Sequence, residues 1–213
     1  MSPEQKARLI DAAVETIRSN ADQLTELDRA IGDGDHGLNM KRGFDAIAEE
    51  RDALAELPWP QAFQKAGMAL VMKVGGASGP LYGSLLMQMG KAAPEAFGSL
   101  DEIITAFAAG IEAVMKRGKS TTGEKTMLDV LVPVNEALKT AQTNGGDGAA
   151  AQKAALTAAR QAADEGLAAT NPMQATKGRA SFLGERSIGH DDPGATSSRL
   201  LVHAVCDVLE SSE

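Results

Sequence analysis

Apolar residues recur at intervals of three and four along most of this chain, the spacing that lines one face of an α-helix. From Pro3 to Leu27 the series is Ile10, Ala13, Val14, Ile17, Leu24 and Leu27. It returns as Ile103, Ile104, Phe107, Ala108, Ile111 and Met115, and again as Leu200, Leu201, Ala204, Val205, Val208 and Leu209. No segment alternates convincingly at period two, so strands are not expected. Breakers interrupt the pattern in the acidic stretch around Gly32 to Gly37, then at Pro58–Pro60, Gly75–Pro80, Ala93–Gly98, Arg117–Glu124, Asn144–Gly148 and Asn171–Gly194. Between them about eight helices are predicted, near residues 3–28, 39–53, 60–73, 80–92, 100–116, 126–141, 148–169 and 194–211. The run Val130, Leu131, Val132 argues against helix in the sixth of these, because β-branching restricts rotamers there.

The connections are mostly short, which favours antiparallel neighbours in one all-α domain spanning residues 1–213. In such an up-and-down bundle the loops after every second helix gather at one end. These would be the acidic loop, Gly75–Pro80, Arg117–Glu124 and Asn171–Gly194. Composition agrees: hydrophobic residues make up 43% but aromatics only 3%, so the core is built from Ala, Leu, Ile, Val and Met on closely packed helices.

A net charge of -8 argues against a nucleic-acid partner, whose phosphates most of this surface would repel. No signal-type apolar region and no span long enough for a bilayer are present, so no membrane association is expected. The single cysteine, Cys206, forms no internal disulfide, and a cytoplasmic location is expected.

The chemistry concentrates in LDRAIGDGDHGLNM, which places Asp28, Asp33 and Asp35 among Gly32, Gly34 and Gly37. Asp28 ends an amphipathic run, and in an extended segment Asp33 and Asp35 would point the same way. Clustered carboxylates are costly unless a cation sits among them, although Asp and Gly also make ordinary turns. VGGASGP, residues 74–80, puts glycines before a helix with Ser78 near the N-cap and Pro80 as its first position. Free amides there form a phosphate cradle, or the segment is a plain turn. Gly118, Lys119 and Ser120 do not complete a Walker A loop, since Ala113 stands where its first glycine belongs. An EF-hand from Asp33 fails at Leu38 and Phe44.

Residues 177–196, KGRASFLGERSIGHDDPGAT, are too long and polar for a simple connector, with Phe182, Leu183 and Ile188 as apolar anchors. Arg179 and Arg186 could meet phosphate or form salt bridges, and Asp192, Pro193 and Gly194 read as a turn into the last helix. His36 would be a phosphate donor or a structural hydrogen-bond partner. Together the loops offer carboxylates for Mg²⁺, an amide cradle and an arginine, the parts phosphoryl transfer needs.

Taken together, LDRAIGDGDHGLNM, VGGASGP, RGK, GEKTM and KGRASFLGERSIGHDDPGATS resemble the nucleotide-binding L subunit of dihydroxyacetone kinase over nearly the whole chain. The resemblance implies an eight-helix antiparallel barrel with ADP or ATP at one end, bound through two Mg²⁺ ions on Asp28, Asp33 and Asp35. It also places nucleotide contacts at His36, Gly37, Leu38, Asn39, Ala77, Ser78, Gly118, Met127, Arg179, Asp192, Pro193 and Gly194. Arg179 would take the catalytic role of stabilising charge on the group in flight. The substrate would be held on a separate K subunit, and bound ADP would be recharged by a phosphohistidine M subunit. Alternatives are the L subunit of an ATP-dependent kinase for another keto sugar, or a binding module whose nucleotide state controls a transcriptional regulator.

Overall fold

Ser2 opens the first helix with a reciprocal cap, its hydroxyl accepting from the Gln5 amide while the Gln5 side chain accepts from the Ser2 amide. Pro3 then occupies the first helical position, where its missing N–H costs nothing. The structure is a computed structural model and describes residues 1–145 and 148–211. It contains α1 (Pro3–Ser19), α2 (Ala21–Ile31), α3 (His36–Glu49), α4 (Arg51–Glu56), α5 (Trp59–Lys73), α6 (Ser78–Ala92) and α7 (Leu100–Gly118). They are followed by α8 (Leu128–Gly145), α9 (Ala149–Thr170), a 3-10 segment (Arg179–Ser187) and α10 (Pro193–Glu210). Among the described residues there is no strand. The break predicted at Asn144–Gly148 lies partly outside the described residues.

Among the described residues the predicted eight helices become ten α-helices, because two predicted helices are each divided at one residue. The first bends at Asn20 (φ -107°, ψ 8°), whose side-chain amide donates to the Thr16 carbonyl at 2.8 Å and competes with the helical ladder. The second bends at Glu50, held from α5 by Lys65 at 2.6 Å. Neither break carries a glycine or proline, so the apolar pattern runs through both.

Each rod packs on the next: α1 on α3, α3 on α5, α5 on α6, α6 on α7, α7 on α8, α8 on α9 and α9 on α10, while α10 closes back on α1. The ring is therefore a closed barrel. Leu24, Met40, Leu70, Tyr82, Ile111, Val114, Leu128 and Leu131 fill its interior. Val130, Val134, Leu156, Ala163, Ala195 and Cys206 form a second cluster shared by α8, α9 and α10.

Small residues set the spacing. A Cβ on Gly67 would lie 2.9 Å from the Gly83 carbonyl, and one on Gly83 would lie 2.8 Å from the Gly67 carbonyl, so α5 and α6 touch backbone to backbone. The sixth predicted helix does form, despite Val130, Val132 and the internal Pro133. Pro133 cannot donate to the Asp129 carbonyl, and Gly166 of α9 seats against that carbonyl instead. Burial of Val130 outweighs its local preference, and Leu131 is a good helix former in any case. At the far end Trp59, Phe63 and Phe97 stack with ring centroids 5.0 to 6.4 Å apart, and Lys6 lies over Trp59.

Candidate functional site

Asp28 stands in the last turn of α2, and one of its oxygens, Oδ2, accepts from the amides of Asp35 (2.8 Å) and His36 (3.1 Å). The carboxylate thus caps the start of α3 from outside that helix, since the Asp35 side chain does not. A Cβ at position 32 would lie 2.0 Å from Asp28 Oδ1, so any side chain there would displace the capping carboxylate. The chain then turns at Gly34 (φ +73°). The extended Asp33–Asp35 segment expected from sequence is replaced by this left-handed turn, which glycine adopts without strain. One oxygen from each of Asp28, Asp33 and Asp35 lies within 4.8 Å of the others. Hard oxygens at that spacing suit Mg²⁺, and Asp33 and Asp35 are exposed to receive it.

Arg179, from the 3-10 segment, reaches the same place: its Nε is 2.8 Å from Asp33 Oδ2. Ile31 packs with Ala175 and Ala180 beneath this contact and docks the segment on the end of α2. The apolar anchors expected in the segment are only partly used. Leu183 joins that small cluster, but Phe182 is 86% exposed and Ile188 44%. The segment is held mainly by polar contacts, which alternation of residue types does not reveal.

The other predicted loops converge on the same end. His36 is buried, with Nδ1 3.0 Å from the Ser78 hydroxyl and Nε2 3.0 Å from the Ser197 hydroxyl, joining the starts of α3, α6 and α10. Burial pushes its pKa below the usual histidine value, while Asp28 and Asp35 oppose that. Tyr82 completes the network at 2.8 Å from both Ser197 and Ser198, and burial raises its hydroxyl to about 12. Because Ser78 is engaged by His36, it does not cap its own helix. The N-cap is Ala77, Pro80 falls inside the first turn, and α6 begins two residues earlier than predicted with no side chain on its leading amides. That start is open to an anion.

Asn39 lies beside Gly75, Gly118 ends α7 against Leu81, and Gly194 faces Met127. Leu38 is 54% exposed on the first turn of α3. Gly37 is buried where a Cβ would meet the Ala21 carbonyl at 1.9 Å, so it sets the α2–α3 approach. Asp192 caps α10 by accepting from the Ala195 amide at 2.7 Å, ahead of Pro193 at the first position. Burial raises its carboxyl to about 7, nearby Asp129 adds to the rise, and Lys125 opposes it.

With this end described, comparison with known proteins is decisive: residues 30–207 match the DAK2 domain. The chain belongs to the DAK2 domain family. It is 45% identical to the PEP-dependent dihydroxyacetone kinase 1, ADP-binding subunit DhaL, of Listeria innocua, over 90% of this chain and 89% of that protein. With the PEP-dependent dihydroxyacetone kinase, ADP-binding subunit DhaL, of Escherichia coli it shares 44% identity over 84% of each. The crystal structure of the C. freundii dihydroxyacetone kinase in complex with AMP-PNP and Mg²⁺ superposes with a TM-score of 0.73 at 24% identity. That match covers 98% of this DAK2 chain and 34% of the longer one, and at this identity the likeness is one of fold.

Two groups of residues at this end escaped the sequence reading. Ser197, Ser198 and Tyr82 carry the polar network around His36. Lys125, within GEKTM, is 1% exposed, and Asp129 accepts from the amides of Gly123 and Thr126 to shape the loop that carries it. The motif itself was visible, but the partners of Lys125 are 45 to 65 residues away.

Proposed function

We propose that this chain is the ADP-binding subunit of a dihydroxyacetone kinase and presents the phosphoryl donor to a substrate held on a separate K subunit. The observation that carries the reading is the convergence of three carboxylates within 4.8 Å with Arg179 at 2.8 Å from one of them, beside the uncapped start of α6. Two Mg²⁺ ions on Asp28, Asp33 and Asp35 would neutralise the phosphate oxygens of ADP or ATP. Arg179 competes with any such cation for Asp33, and once displaced its guanidinium is within reach of phosphate charge. The amides opening α6, with Ala77 and Ser78, cradle the anion. His36 to Asn39, Gly118, Met127 and Asp192 to Gly194 line the nucleotide end. The accepting hydroxyl is that of the substrate held on the partner, and exposed Leu38 and Phe182 offer that partner an apolar rim. Recharging of bound ADP by a phosphohistidine protein belongs to the same reading, given the names of the bacterial relatives.

Mixing the chain with a K subunit, Mg²⁺ and dihydroxyacetone tests it, once with ATP and once with ADP and the phosphohistidine protein as donor. Dihydroxyacetone phosphate should form only when both proteins are present. Phosphate release by this chain alone would make it a hydrolase, and nucleotide binding without transfer would make it a regulatory module.

A further inference from the structure

Among the described residues, Lys125 is the most thoroughly buried cation, and the proposed reaction gives it no part. Its Nζ donates to the carbonyls of Thr170 (2.7 Å), Asn171 (3.4 Å), Met173 (3.2 Å) and His190. An ammonium has three donors, so four carbonyls around it form a cage of the kind that otherwise holds a metal cation. Thr170 and Asn171 end α9, where carbonyls lack helical partners, and His190 stands just before α10. The lysine therefore joins the two ends of the long excursion that carries Arg179.

Three further bonds cross the same neck. Asn171 Nδ2 donates to Asp191 at 2.9 Å, the Gly189 amide donates to the Asn171 carbonyl at 2.8 Å, and the Asp192 amide donates to the Thr170 hydroxyl at 3.2 Å. Beyond the neck the excursion has little apolar support, only Ala175, Ala180 and Leu183 against Ile31. Two costs accompany the arrangement. Lys125 sits in the left-handed region at φ +62°, and its charge is desolvated, with Asp191 and Asp192 as the nearby counter-charges.

We infer that Lys125 is a positioning residue, an interior ammonium that clasps the neck of the 171–192 excursion and thereby fixes Arg179 opposite the acidic loop. The inference rests on the proposed function for its kinetic consequence and on geometry alone for its structural one. The neighbouring residues extend the clasp outward: the Glu124 carbonyl accepts from the Thr176 amide, and the Glu124 carboxylate faces Lys177 at 3.6 Å. One loop thus grips the excursion at its neck and again two to three residues before Arg179.

The test uses the full chain with its K subunit and the variants Lys125→Met, Arg179→Ala and the double variant. Lys125→Met should keep its far-ultraviolet circular dichroism and lower kcat by about tenfold or more, while Mg·ADP affinity changes by less than about threefold. In the Arg179→Ala background the same substitution should cost less than about threefold in kcat, because the group it positions is gone. Equal losses in both backgrounds would overturn the inference. A readout independent of turnover is tryptic cleavage after Arg179 and Arg186, which should quicken in Lys125→Met. If Lys125→Met does not fold, Asn171→Ala, which removes another bond of the neck, should quicken the same cleavage. Unchanged cleavage in the folded variant would overturn the clasp. Absence of product with the unmodified chain, with cleavage accelerated in the variant, would refute the proposed function and leave the clasp standing.

Discussion

Replacing Asp28 with alanine should destabilise the fold even without a ligand, whereas replacing Asp35 with asparagine should not, although the same site loses a carboxylate in both. Asp28 is half-buried, and its Oδ2 accepts from two amides at 2.8 and 3.1 Å, capping α3. Hydrogen bonds to a charged acceptor contribute about 1.5–3 kcal/mol each when buried, and partial solvation brings the pair here to about 2 kcal/mol together. In a domain of this size that lowers the melting temperature by roughly 4–8 °C. Asp35 caps nothing and is exposed, and removing it relieves repulsion within the cluster, so its effect stays within about 0.5 kcal/mol.

Differential scanning calorimetry, first with EDTA and then with Mg²⁺ and ADP, separates the two roles. At a ligand concentration near 100 times Kd the unmodified chain should gain about 2.7 kcal/mol, and both variants should lose that gain. An Asp28→Ala variant melting within about 1 °C of the unmodified protein in EDTA would refute the capping argument. Full retention of the ligand-induced shift in Asp35→Asn would refute the metal assignment.

Asp192→Asn should flatten the pH dependence of stability. The buried carboxyl titrates near 7 in the folded chain, against about 3.9 when unfolded, so between those values only the folded state keeps the proton and stability falls as pH rises. Asparagine keeps the cap on Ala195 without that titration, and an unchanged slope in urea titrations from pH 4 to 7 would contradict the assignment. Gly37→Ala should cost about 1–3 kcal/mol in chemical denaturation, because its Cβ would enter the Ala21 carbonyl and force α2 from α3. A loss of Mg·ADP binding with no loss of stability would instead make Gly37 a contact residue only.

Much of the acidic site was legible because its parts are local. Asp28, Asp33 and Asp35 fall within eight residues, and glycines at 32 and 34 announce a bend before any partner is known. The helix caps at Ser2, Ser99 and Asp192 are local too, each a side chain meeting an amide three residues on, although the residue pattern was read only as a turn at Asp192 and as no cap at the two serines. Ser78 shows where such reasoning stops. It has the composition of an N-cap, yet His36, 42 residues earlier, claims its hydroxyl. Phe182 fails for a related reason: an aromatic ring in a polar loop looks like an anchor, but the loop is secured through its backbone carbonyls and leaves the ring exposed.

By itself, then, the order of residues determined an all-helical chain, the segments that turn, and a cluster of acids suited to a divalent cation. Helical periodicity and glycine turns are short-range properties, set by neighbours within about four residues. Tertiary structure decided that the rods close into a ring with α10 against α1, and that helices bend at Asn20 and Glu50. It also brought Arg179 to Asp33 across 146 residues and buried Lys125 among the carbonyls of a distant loop. Those outcomes depend on which backbone groups are left without partners once the barrel has closed. A buried charge or carbonyl must then find whatever complementary group the fold brings near, however far away it lies in sequence.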